Sequence, residues 1–268
     1  MRSAVKALIL SGVVATSTTM ASAQIVQLRV TVENLAPANS ISFAPFRFGL
    51  SNGTFDAFNE GSPGFLLGNP GIADAPIVTI AEGGNGTTWF PAFTAAEPNS
   101  NTGTVFGPGG PPILPGQSNS AVFTVNTANR FFQYASMVVP SNDHFIGNDS
   151  PFEQPIFDAA GNLVVTSFTE QARSIWDAGS ETQNPLNAAF LVVGNNDLRV
   201  NENLPVRFDF AGLSAFNGLA TAGGYNFNSN LLSADSSIIR ISFEIVPEPV
   251  SLGLISAGAF GLLRRRRA

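Results

Sequence analysis

The chain contains no cysteine, one histidine and, between residues 24 and 246, no lysine. Without cysteine there is no disulfide framework, no thiolate nucleophile and no cysteine-ligated metal, so stability rests on the core alone. The single histidine, His144, has no second imidazole or cysteine to work with. No Gly-x-Ser-x-Gly elbow offers it a serine to activate. The glycine-rich stretch 107–112 is laced with proline and does not join a strand to a helix, which makes it a turn and not a phosphate cradle. Long helical periods are absent from residues 24–246.

Cationic side chains are scarce as well. Within 24–246 seven arginines face eighteen carboxylates, a formal charge of −11. Such a surface repels nucleic acid and anionic lipid; it suits divalent cations, or simply solubility in a crowded envelope. What the chain has in abundance is apolar material: 44% hydrophobic residues and 23 phenylalanines, enough for one core in a single domain of about 220 residues.

The clearest periodicity is two. Val26, Leu28, Val30 and Val32 alternate with polar residues, as do Ile239, Ile241, Phe243 and Ile245, so 25–33 and 239–245 read as half-buried strands. Val206, Phe208 and Phe210 predict a third. The denser runs 121–125, 131–139, 163–168 and 188–193 suit strands covered on both faces. Clusters of Asn, Gly, Pro and Ser separate these runs and favour turns. The expected fold is all-β, an antiparallel β-sandwich with long loops, one or two short helical turns within 54–82, and the first and last strands in the same sandwich. Trp89, Phe90, Phe93, Phe131 and Phe132 are expected in the core and not on an aromatic binding platform.

Both ends are set apart from this body. Arg2 and Lys6 precede an apolar stretch, 7–15, and Ala21-Ser22-Ala23 is an A-x-A site, so residues 1–23 read as a signal peptide cleaved before Gln24. At the other end Pro247, Glu248 and Pro249 are followed by the apolar run 250–263 and then by Arg264, Arg265, Arg266 and Arg267. The prolines bar helix upstream, the run can form a helix, and the arginines stay on the cytoplasmic side. A run of fourteen residues falls short of the ~20 that span a bilayer, which predicts a transient membrane association through this helix. Residues 247–268 resemble the PEP-CTERM sorting signal of Gram-negative bacteria. The resemblance implies an exosortase-type processing enzyme as partner and release or attachment outside the inner membrane.

Two acidic loops carry the candidate chemistry. Val138-Val139-Pro140-Ser141-Asn142-Asp143-His144-Phe145-Ile146-Gly147 places a carboxylate and amides directly after the strongest predicted strand. Trp176-Asp177-Ala178-Gly179-Ser180-Glu181 sets two carboxylates four residues apart around a glycine, so both can reach one hard cation. Together with Thr31-Val32-Glu33-Asn34-Leu35-Ala36-Pro37 and Asn184-Pro185, these segments resemble the spondin N-terminal domain over roughly 25–245. The resemblance implies a C2-like β-sandwich holding one calcium ion at one end, with ligands at Asp143, Asp177 and Glu181, the last in place of the usual Asp. It also implies a variable, surface place for His144, and Asp149 is an outer-shell candidate. The function expected is a non-enzymatic, exported module for adhesion or interaction at the cell surface or in the extracellular matrix, with polysaccharide, lipid or a surface protein as partner and no nucleic acid. The alternative is a secreted hydrolase of extracellular polysaccharide using Asp143 and Glu181 as its carboxylate pair.

Overall fold

The computed structural model describes residues 23–64 and 75–247. The segments expected to be a signal peptide, 1–23, and a sorting signal, 247–268, lie outside the described residues except for Ala23 and Pro247. Among those described, no helix is long and apolar enough to cross a membrane.

Among the described residues eleven strands form two antiparallel sheets: β1 (Ile25–Asn34), β2 (Ser42–Phe43), β3 (Phe46–Ser51), β4 (Asn101–Val105), β5 (Ser118–Asn126), β6 (Phe131–Val139), β7 (His144–Gly147), β8 (Ser167–Gln171), β9 (Trp176–Asp177), β10 (Arg207–Phe208) and β11 (Ser237–Val246). One sheet has the order β5-β1-β11-β8; the other runs β10-β9-β7-β6-β3-β4, with β2 pairing to β6. The fold is an all-β sandwich, and the first and last strands pair in one sheet from Gln27↔Val246 to Asn34↔Ile239.

Period-two alternation explains the core. Leu28, Val30 and Val32 of β1 and Ile239, Ile241 and Phe243 of β11 meet Phe46, Phe48 and Leu50 of β3 and Phe132, Tyr134 and Val138 of β6 between the sheets. The dense run of β6 is apolar on both faces because its outer face is covered too. Ala135 packs there with Phe145, Trp176, Phe55 and Phe58 beneath two short helices, α1 (Pro76–Gly83) and α2 (Trp89–Ala96). Trp89, Phe93 and Phe132 are accordingly buried.

Three expected strands differ. The run 188–193 makes only single bridges, Ser141↔Ala189 and Leu191↔Thr221, and leaves Val192 and Val193 in solvent; an apolar run without alternation fits a doubly covered strand and other packed segments alike. In 163–168 the strand begins only at Ser167. Near 206–210 only Arg207–Phe208 pairs, and Phe208 is exposed at the edge, stacked on Trp176 with ring centroids 3.7 Å apart. The run 121–125 lies in β5, an edge strand whose Val122 faces water.

Candidate metal centre

Strand register assembles the site. β9 lies between β7 and β10, and the pairs His144↔Asp177 and Arg207↔Asp177 put an imidazole, a carboxylate and a guanidinium in one cross-strand row. The next row is apolar: Phe145, Trp176 and Phe208. Asp143 stands immediately before β7, at the end of a turn that passes through the cis Val139–Pro140 bond.

One ligand atom each from Asp143, His144 and Asp177 lies within 4.8 Å of the others, and all three residues are buried. This group can hold a metal ion. Asp143 Oδ2 accepts three hydrogen bonds, from the Ser180 N–H at 2.8 Å, the Glu181 N–H at 3.0 Å and the Ser180 hydroxyl at 3.1 Å. Its Oδ1 is buried and has no hydrogen-bond partner. An unpartnered oxygen on a buried carboxylate carries the full desolvation penalty unless a cation sits against it or the group takes up a proton. Asp177 Oδ1 accepts the Gly179 N–H at 2.6 Å, an Asx turn that bends the loop back, and Oδ2 accepts from Arg207 at 2.8 Å.

The imidazole is oriented from behind. Its Nε2 lies 2.8 Å from the Asp209 carbonyl, and Gln183 Nε2 is 3.2 Å from Nδ1. With Nε2–H donating to the carbonyl, Nδ1 is the acceptor nitrogen, the arrangement in which an outer carbonyl fixes the tautomer of a metal-binding histidine. Burial drives the His144 pKa down to about 4, against the opposing pull of Asp209, so the ring is neutral near pH 7. Asp143 is pushed well above the usual carboxylate range by burial and by the charge of Asp177, with the N–H groups of Glu181 and Ser180 opposing. Burial also raises Asp177, opposed by the Gly179 N–H and by Arg207. Two buried acids that resist ionisation are what a nearby cation would reverse.

Of the residues expected from sequence, Asp143 and Asp177 are brought together. Glu181 is set apart: its carboxylate accepts from Asn142 at 2.7 Å and from Asn187, and burial raises its pKa to about 7. Its contribution to the cluster is the backbone N–H given to Asp143. Asp149 accepts the Glu60 N–H at 2.9 Å.

No family model matches the chain, and no curated protein matches it. The metal-site reading therefore stands on the geometry.

His144 corrects the sequence reading, which placed it on the surface; it is wholly buried within the cluster. The reason is the register, which turns the residue beside Asp143 toward Asp177. Arg207 and Gln183 were likewise unmarked in sequence. A weak signal existed for Arg207, the polar residue in the alternation Val206, Arg207, Phe208.

Proposed function

We propose that the protein is an exported, non-enzymatic interaction module whose loop end is tied together by one divalent cation held by Asp143, His144 and Asp177. The observation that carries this reading is the wholly buried Asp143 carboxylate, with one oxygen saturated by three donors and the other without a partner in a three-ligand group. An ion there would join the loop before β7, strand β9 and the segment leading into Ser180 and Glu181. Burial on all sides supports a structural role, since catalytic ions keep a position open to substrate.

Calcium is the ion in this reading, in keeping with two carboxylates and an acidic surface. One observation favours a second ion class: the imidazole of His144 suits zinc or another transition metal better than calcium. The terminal segments support export and exosortase-type sorting, and the partner class is an envelope polysaccharide, lipid or surface protein. A hydrolase working through Asp143 and Glu181 has less support, because both side chains are buried and Glu181 is engaged by two asparagines.

Thermal melting after chelation, followed by separate titrations with calcium, manganese and zinc, tests the metal. A saturable rise with one of them is expected, together with no turnover of a glycan panel. A melting curve indifferent to all three ions removes the site, and turnover abolished by Asp143→Asn establishes the hydrolase.

A further inference from the structure

The side chain of Gln183 stands over two of the three candidate ligands at once. Its Nε2 is 3.2 Å from His144 Nδ1 and 3.5 Å from Asp177 Oδ2. The first is the acceptor nitrogen left by the Asp209 contact. The second keeps a lone-pair direction beside the one used by Arg207. Gln183 Oε1, in contrast, is buried and unpartnered. The amide therefore bridges two groups of the cluster by long contacts while its own oxygen goes unused.

The nitrogen and oxygen of an amide are nearly equal in size, and a half-turn exchanges their positions. That half-turn gives up the contacts of 3.2 and 3.5 Å and places an oxygen beside a nitrogen lone pair and a carboxylate oxygen. Three acceptors facing one another repel, unless a cation lies between them. The spacing suits that case: neighbouring ligands of one ion, with bonds of about 2.0–2.5 Å, lie about 3–4 Å apart. Asp143 Oδ1, wholly buried and also without a partner, points independently to a cation at this cluster.

We propose that Gln183 is a further ligand of the ion, binding through Oε1, so that the centre consists of two carboxylates, one imidazole nitrogen and one amide oxygen. This rests on the proposal that the cluster holds a metal. Glu181, four residues beyond Asp177, does not supply this oxygen, because its carboxylate is turned to Asn142 and Asn187.

The test is isothermal titration calorimetry of the purified protein with calcium, manganese and zinc, alongside Gln183→Leu and Gln183→Glu, with melting in chelator as the fold control. Gln183→Leu keeps the bulk and removes the oxygen; it should weaken the ion that binds wild type by on the order of 10–100-fold, measured at a temperature where melting in chelator shows the variant folded. Gln183→Glu restores an oxygen with added charge and should bind at least as tightly as wild type. Wild-type affinity in Gln183→Leu, or equal loss in both variants, overturns the assignment while leaving the metal site standing. No binding by wild type overturns the site itself.

Discussion

Asp143 allows a substitution whose effect should change with the ion. In Asp143→Ala, the N–H groups of Ser180 and Glu181 and the Ser180 hydroxyl lose their acceptor. Each buried donor left unsatisfied costs about 1–3 kcal/mol, and the hydroxyl can turn elsewhere, so the loss at the two N–H groups should be about 2–6 kcal/mol. For a domain of this size that lowers Tm by about 4–24 °C. Asp143→Asn keeps an oxygen for the same three donors and removes a buried charge that Asp177 repels. Weaker hydrogen bonds and a relieved charge oppose each other, so in chelator the variant should melt within about 4 °C of wild type, a balance of about 1 kcal/mol. With free ion at about 100 times its Kd, wild type should gain about 2.7 kcal/mol, or about 5–11 °C, by mass action. Asp143→Asn should gain almost none of it. Differential scanning calorimetry with and without ion resolves all of these. The reasoning is refuted if Asp143→Asn falls as far as Asp143→Ala in chelator, or if it keeps the wild-type response to the ion.

Gly179 has φ +63°, and a Cβ there would lie 2.2 Å from the Leu204 carbonyl oxygen, whereas Gly61, with φ +76°, has open space around it. Gly61→Ala should therefore cost about 1 kcal/mol of backbone strain and Gly179→Ala at least twice that, as read by urea unfolding; equal losses would rule out the clash. Tyr134, buried and donating to Glu170 at 2.8 Å, is held well above its ordinary pKa of 10 by burial and by the Glu170 charge. Because the folded phenol stays protonated where the unfolded one ionises, stability should be intact below about pH 10 and fall above it. The tyrosinate absorbance of Tyr134 should rise only with the loss of native circular dichroism, and its reversible ionisation near pH 10 in the folded protein would contradict this. For processing, the intact mass of protein recovered from the native envelope should lack residues 1–23 and most of 250–268; recovery with the four terminal arginines would overturn the sorting proposal.

The sequence by itself determined the strands whose signal is local. Residues 25–33 and 239–245 alternate because one face of each meets the core, and that pattern is written in neighbouring residues. Asp143 and Asp177 were legible as loop acids, since acids among glycine, serine and asparagine mark turns that can present oxygens. Runs such as 188–193 misled, because apolar content without alternation does not distinguish a strand from a loop whose inward residues are Ala188 and Leu191. Tertiary structure alone decided the composition of the site. His144, Asp177 and Arg207 become neighbours through the register of β7, β9 and β10. Glu181 instead turns to Asn142 and Asn187. Such juxtapositions come from pairing segments distant in the chain, and they depend on which face each residue presents. Moving a strand by one residue would send His144 to the face of Phe145, an exchange of sides that composition and spacing cannot register.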